Sequence, residues 1–168
     1  ADRETRTMSH FVDEDYLEMF SFDLIAGSMN ALSQADQVVI NEEANERFFG
    51  QTLGLGEQIE LNIGGEWKVF TVGAILRNRP QRSSLQNYFL INYQNIERSL
   101  KEELEHVSTN FFIQRQPNVE EAQLLAAMDE LLPIHNKDNT INPYRNFELE
   151  PVTTMARNVY AMIGGVGS

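Results

Sequence analysis

The feature that most constrains this fold is a pair of adjacent segments joined by two glycines. From Gln58 to Ile63, polar and apolar residues alternate, which is the period of a strand with one buried face. Gly64 and Gly65 follow, and paired glycines readily take the positive φ angles of tight hairpin turns. The return segment, Glu66 to Leu76, is largely apolar on both faces, which indicates a central or sandwiched strand. The sequence therefore predicts a β-hairpin built into a sheet.

Other segments predict helices and strands around this hairpin. Val38 to Ile40 is a β-branched run, and Asn41 is a preferred N-cap for a helix that begins with two glutamates and ends before Gly50. The same kind of pattern predicts further helices at Asp13–Phe20, Asn95–His106 and Val119–Leu132, and further strands at Tyr88–Asn92, Asn110–Gln116 and Phe147–Val152.

These elements predict an α+β fold of two subdomains. The chain of 168 residues is long enough to bury a substantial core. Residues 1–108 form a mixed α/β subdomain that contains the hairpin, and residues 109–168 form a C-terminal β-α-β subdomain. The longest weakly polar stretch near an end, Val159–Ser168, is too short to span a bilayer and contains three glycines.

Charge and residue types exclude several classes of function. The formal net charge is −12, which disfavours nucleic acid and anionic lipid surfaces as partners. The sequence has no cysteine, so thiol catalysis and thiolate metal sites are excluded. The histidines, His10, His106 and His135, lack the i, i+4 spacing of a helical metal site, and a surface role for His106 is favoured over weak metal binding. We expect no metal.

Motifs of catalysis are not evident either. The sequence contains no Gly-x-Ser-x-Gly elbow. The glycines between Gly50 and Gly56 lack the Lys-Ser/Thr ending of a phosphate-binding loop and lead into a strand, not into a helix. A hydrolase with an unrecognised site is the least favoured hypothesis, and we expect a protein that is not an enzyme.

One cluster could bind a partner. Arg77, Arg79 and Arg82 lie around Pro80 in a polar segment, and arginine suits bidentate contact with carboxylates. These arginines are therefore the candidate partner-contact residues. The alternative, which the frequency of surface ion pairs favours, is that they pair with glutamates of this chain and keep the loop soluble.

An ordered series of motifs resembles the periplasmic core domain of MacB/FtsX-like ABC transporter permeases. The series begins with Val12–Phe20 and Leu24–Gly27 and continues with Val38–Glu42 and Arg47–Gly50. Leu55–Ile59 and Phe70–Leu76 then follow in the family's order. The motifs extend to about Asn92, whereas the C-terminal part is compatible by architecture only.

The resemblance implies a non-catalytic extracytoplasmic domain, anchored by transmembrane helices outside this sequence, that couples ATP-driven motion to periplasmic partners or to substrate export. It implies that residues 1–108 are the inserted, sabre-like subdomain and that residues 109–168 are porter-like, with little sequence before Val12 for the usual first β-α-β half. A cytoplasmic ATPase would use the ATP, so no cofactor is expected in this domain. A periplasmic adaptor or lipoprotein and a homodimer in the full transporter are the further partners implied.

A different class of function stays open beside this one. The arginine loop could receive a small anionic ligand or a peptide carboxylate, which would make the chain an extracytoplasmic sensor or binding domain. Thermal shifts with small anions that vanish after Arg77→Ala or Arg79→Ala would favour that hypothesis.

Overall fold

The computed structural model describes residues 9–79, 88–97, 111–137 and 144–154. The chain divides into two compact units, Ala1–Asn110 and Phe111–Ser168. The assignment of residues 1–108 and 109–168 to particular subdomains of the family stays a prediction. Within the described residues, no helix has the length and apolar character needed to cross a membrane.

The first unit contains a six-stranded mixed sheet. Its strands are β1 (Ser9–Val12), β2 (Leu24–Gly27), β3 (Gln37–Asn41), β4 (Gln58–Ile63), β5 (Glu66–Leu76) and β6 (Phe89–Asn92). The strand order is β1-β6-β3-β5-β2, and β4 pairs with β5. The β1–β6 and β3–β5 pairs are parallel, and the other pairs are antiparallel. The described residues of this unit also form the helices α1 (Tyr16–Met19), a 3₁₀ turn (Ala31–Ser33), α2 (Glu42–Phe49) and α3 (Gln94–Glu97). The predicted helix Asn95–His106 lies outside the described residues from residue 98 onward.

The predicted hairpin is confirmed in both its strands and its turn. β4 and β5 pair from Gln58 opposite Thr71 to Ile63 opposite Glu66. Gly64 and Gly65 have φ angles of 59° and 87°, the left-handed values that a side chain would strain. The two glycines therefore fix the register, because a two-residue turn leaves no slack in the pairing of its strands.

Strand β5 is buried along one half only, so the prediction of a strand covered on both faces holds for part of its length. β3 pairs with β5 from Thr71 to Leu76, and this half holds Val72, Ala74 and Ile75 at 1% exposure or less. The half that extends beyond β3, from Glu66 to Phe70, leaves Trp67 and Val69 exposed.

Two layers cover the two faces of the sheet. One face carries the main core, in which α2 contributes Ala44 and half-buried Phe49. The buried members of this core are Val38, Ile40, Ala44, Ile59, Ile63, Phe70, Val72, Ile75, Phe89 and Ile91. Val39, Ala74 and Leu90 are also at most 1% exposed, and the 3₁₀ turn contacts the strands β3, β5 and β6 that carry them. Because the sheet is buried on both faces, its central strands read as continuous apolar runs.

The helix α2 begins and ends where the sequence predicts. The Asn41 side chain accepts a hydrogen bond from the N–H of Ala44 at 2.8 Å, so Asn41 is the N-cap. Glu42 and Glu43 occupy the first turn and Arg47 the last, which suits the helix dipole at both ends. Gly50 ends the helix with a φ of 65°.

The described residues of the second unit contain the predicted helix but not the predicted strands. They form α4 (Glu121–Asp129) and α5 (Leu132–His135), and residues 152–154 are also helical. The side chain of Gln123 accepts a hydrogen bond from the N–H of Glu120 at 3.1 Å. The described residues 111–116 and 147–151 have no regular secondary structure, so the strands predicted there are wrong for these residues. An alternating pattern forms a strand only where a neighbouring strand takes up its backbone hydrogen bonds, and Phe111 is 84% exposed. The mixed α/β fold class is nevertheless confirmed.

Candidate functional site

The junction after β5 ties three elements of the first unit together. The N–H of Arg77 donates to the carbonyl of Asp23 at 2.9 Å. The N–H of Asn78 donates to the carboxylate of Glu42 at 2.8 Å, and its side-chain oxygen accepts from the N–H of Glu43 at 3.3 Å. Asn78 therefore satisfies an N–H at the start of α2 that the helix itself leaves unpaired, and it joins the end of β5 to that helix.

Arg77, the first of the predicted contact residues, is available to a partner. Its side chain is 63% exposed and lies 3.8 Å from the carboxylate of Glu42, which is itself 38% exposed. An ion pair this long and this exposed contributes little to stability. The guanidinium group can therefore exchange Glu42 for another carboxylate at small cost.

Arg79 makes intradomain contacts. Its guanidinium donates to the carbonyl of Phe20 at 2.5 Å and lies 4.1 Å from the centre of the Phe22 ring. These contacts join the segment after β5 to the end of α1, and a cation over an aromatic face adds to the hydrogen bond. Arg82 lies outside the described residues. Arg77 and Arg79 are two residues apart in the sequence, but their side chains lie in different surroundings. Their role in binding stays a prediction.

A shallow cleft of about 330 Å³ lies beside α2. Its lining residues come from β2, α2, β5 and the loop after α2: Ile25, Glu42, Asn45, Glu46, Gly50, Gln51, Leu53 and Ile75. The polar side chains at its wall are two carboxylates, of Glu42 and Glu46, and two amides, of Asn45 and Gln51, so the charge of the wall favours a cation. Among the residues that the structure describes, no group of three or more His, Asp or Glu side chains is placed to hold a metal.

Asn45 organises the loop that borders this cleft, and sequence reasoning missed it. The residue is 8% exposed. Its side-chain oxygen accepts from the N–H of Gly54 at 2.9 Å and its amide group donates to the carbonyl of Thr52 at 3.1 Å. A side chain at Gly54 would collide with the ring of Phe49. The available signal in the sequence was an asparagine next to Ala44, on the apolar side of a short helix. An asparagine buried on that side needs hydrogen-bond partners.

Tyr88, just before β6, makes a second polar contact with α2. Its hydroxyl donates to the carboxylate of Glu43 at 3.1 Å. The hydrogen bond and the negative charge of Glu43 both raise the pKa of Tyr88 above 10.0. The start of α2 is thus contacted from the ends of two strands, β5 and β6.

The sequence matches the model of one protein family. The family is described as the MacB-like periplasmic core domain, and the match covers residues 1–131. These residues include all of the first unit and all of α4. None of the curated proteins matches the sequence significantly.

Two solved structures are similar to this one. A domain of a protein assigned as a permease from Porphyromonas gingivalis has a TM-score of 0.61 and 21% sequence identity, over 92% of this chain and 74% of that chain. The periplasmic region of MacB from Actinobacillus actinomycetemcomitans has a TM-score of 0.50 and 14% identity, over 95% of this chain and 66% of that chain. At these identities the likeness shows the fold.

Proposed function

This chain belongs to the family of MacB-like periplasmic core domains, and from that premise we propose that it couples ATP-driven motion of an ABC transporter permease to periplasmic partners or to substrate export. The family places the chain in the periplasmic part of such a permease. The coupling role, the absence of catalysis and the use of ATP by a separate cytoplasmic subunit or domain are the proposal. A periplasmic adaptor or lipoprotein, and a second copy of the permease, are the partners that it includes.

The observation that carries this proposal is the match over residues 1–131, because it includes every element of the sheet. The internal ties of the first unit support it physically. Arg79 connects the segment after β5 to α1, Asn78 connects it to α2, and Asn45 connects α2 to the loop before the hairpin. Elements that are joined by hydrogen bonds in this way move together when one of them is displaced. Force transmission requires such joint movement.

The proposal also predicts the arrangement of the full gene product. One hydrophobic helix should precede Ala1 and three should follow Ser168, since the family's outer domain lies between the first and second spans of its permease. Flanking sequence without such helices would defeat the assignment of this chain to a permease of that topology.

A fluorescence experiment on the full permease tests the coupling itself. A full permease whose cysteines elsewhere have been replaced receives a single cysteine at exposed Gln51 or, separately, at exposed Asn62, which is labelled with an environment-sensitive dye; these 168 residues contribute no cysteine of their own. We expect the emission to change between the nucleotide-free transporter and the transporter trapped with ATP and vanadate. A partner ATPase that binds but does not hydrolyse ATP is the control. Identical spectra at both positions in every state would contradict the coupling role.

Arg77 supports a second candidate function, which is the binding of a small anion or a peptide carboxylate. Its 63% exposed guanidinium is the observation that favours it. A thermal shift with small carboxylates that is lost in Arg77→Ala would support it. Arg77→Ala is the sharper variant, because Arg79→Ala also removes the contacts with Phe20 and Phe22.

A further inference from the structure

Two exposed apolar side chains lie next to each other on one face of the hairpin. Trp67 and Val69 are 56% and 52% exposed, and residues two apart on a strand share a face. Opposite them on β4 lie Asn62 and Glu60, respectively. We call these four residues the hairpin patch. On the other face of the same strand, Phe70 is 2% exposed and belongs to the main core.

The patch extends a face that is covered further along the strand. The parallel pairing of β3 with β5 starts at Gln37 opposite Thr71, so Trp67 and Val69 lie alongside no residue of β3. Beyond Thr71, a side chain added at Gly73 would contact Ala31 of the 3₁₀ turn, which shows that this turn lies over the face there. The apolar character of the face therefore continues past the part that the domain itself buries.

The surroundings of the patch are acidic. Glu60 is exposed directly opposite Val69. Exposed Asp36 lies at the other edge of β5, because its carbonyl accepts from the N–H of Thr71 at 2.9 Å. The hairpin's cation, Lys68, lies on the opposite face, across from Leu61. An approaching segment therefore meets apolar surface between negative charges.

We propose that the hairpin patch docks a segment of a partner protein in which apolar residues alternate with lysine or arginine. Such a segment packs its apolar side chains on Trp67 and Val69, and its long lysine or arginine side chains, which start on the other side of the segment, bend around its edges to reach Glu60 and Asp36. A second copy of this chain is disfavoured as the occupant, because each copy carries a formal charge of −12. Two side chains cover far less than the ~800 Å² per partner of a stable interface, so the patch acts as the anchor of a larger contact.

This inference rests on the proposed coupling function and deepens it by naming a contact surface and the chemistry of the partner. The two can fail separately. The patch is tested on the 168-residue chain with peptides, whereas the coupling is tested in the full transporter with nucleotides. A negative peptide result leaves the ATP-dependent change in emission as an independent question.

Trp67 is the chain's single tryptophan, so its emission reports on the patch without a label. The probes are three eight-residue peptides of alternating Lys-Leu, Glu-Leu and Lys-Ser. We expect the Lys-Leu peptide to shift the emission to shorter wavelength in a saturable way, and the affinity to fall as salt is added. The Glu-Leu peptide carries negative charge in place of positive charge, and the Lys-Ser peptide has no apolar residues. Each should bind at least about tenfold more weakly than the Lys-Leu peptide.

Variants with matched controls assign the binding to the patch. Val69→Ser and Glu60→Lys should each weaken the Lys-Leu peptide about fivefold or more, which is the usual loss at an anchor residue. Leu131→Ser removes a 46% exposed apolar side chain that lies outside both the patch and the cleft, and it should leave the affinity unchanged. Trp67→Ala, followed by calorimetry because it lacks the reporter, should lose about tenfold or more.

Each other result overturns the proposal. Equal binding of the Glu-Leu peptide would show unspecific apolar contact, and equal binding of the Lys-Ser peptide would show attraction by charge alone. A shift that depends on protein concentration without any peptide would identify a second copy as the occupant. No shift with the Lys-Leu peptide, or the same loss in Leu131→Ser as in Val69→Ser, would remove the patch as a docking surface.

Discussion

Replacing Asn45 with alanine tests whether this buried side chain holds the loop between α2 and the hairpin. The substitution removes the acceptor of the Gly54 N–H and the donor to the Thr52 carbonyl. Gly54 is buried, so its N–H has no easy access to water after the change, whereas Thr52 is exposed and its carbonyl can be solvated. The two lost hydrogen bonds therefore differ in cost.

The expected loss of stability follows from these two environments. An unpaired buried N–H costs about 2 kcal/mol, and the bond to the solvated carbonyl adds about 0.5 kcal/mol. Alanine favours a helix over asparagine by about 0.6 kcal/mol, which offsets part of the loss. The net effect of Asn45→Ala is a decrease of about 2 kcal/mol in the free energy of unfolding. With a urea slope of about 2 kcal/mol/M, the midpoint should fall by about 1 M.

Urea unfolding followed by far-ultraviolet circular dichroism measures the change, and hydrogen exchange of the Gly54 amide reports on the loop directly. The control is Asn62→Ala. Asn62 also accepts a hydrogen bond, from the N–H of Gly65 at 3.1 Å, but both residues are exposed and water can replace the bond. We expect this control to lose about 0.5 kcal/mol or less.

A loss in Asn45→Ala no larger than that in Asn62→Ala would refute the reasoning. An unchanged exchange rate of the Gly54 amide would also refute it, because the substitution removes the acceptor of this N–H.

The remaining predictions concern a close backbone approach and the arginine pair. Gly27→Ala should lower the free energy of unfolding by more than about 2 kcal/mol, because Gly27 has a φ of 94° and an added Cβ would collide with the backbone of Gly73. Gly56 has a similar φ of 80° but open space around it, so Gly56→Ala should lower the free energy of unfolding by about 1 kcal/mol. Equal thermal melting of the two variants would contradict this ranking. Arg79→Met should lose about 1–2 kcal/mol in urea unfolding with its hydrogen bond and ring contact, and Arg77→Met less than about 0.5 kcal/mol. A larger loss in Arg77→Met would show that the exposed ion pair matters more than its geometry indicates.

The sequence predicted the elements whose signals are local. The hairpin follows from alternation and a glycine pair, and α2 follows from the Asn41 cap and the Gly50 stop. The four-residue strands Ser9–Val12 and Leu24–Gly27 were missed. They are set by partners far away in the sequence, β6 and β5, which no local pattern reveals.

The residue types of the candidate site were predictable from the sequence, but the orientation of their side chains was not. Arg77 and Arg79 are two residues apart, yet one faces solvent beside Glu42 and the other turns to Phe22. The exposure of Trp67 was equally hidden, because it depends on where β3 begins beside β5. Both outcomes arise from tertiary packing, which changes the environment of a residue without changing its neighbours in sequence.

The side of the membrane that the chain faces tests this account most directly. A full-length permease carrying one cysteine, at exposed Gln51, is expressed in cells and treated with a maleimide that cannot cross the cytoplasmic membrane. We expect labelling in cells whose cytoplasmic membrane is intact, to the same extent as after lysis, because a periplasmic Gln51 position is accessible from outside that membrane. Labelling that appears only after lysis would contradict a periplasmic domain and the coupling function proposed for it.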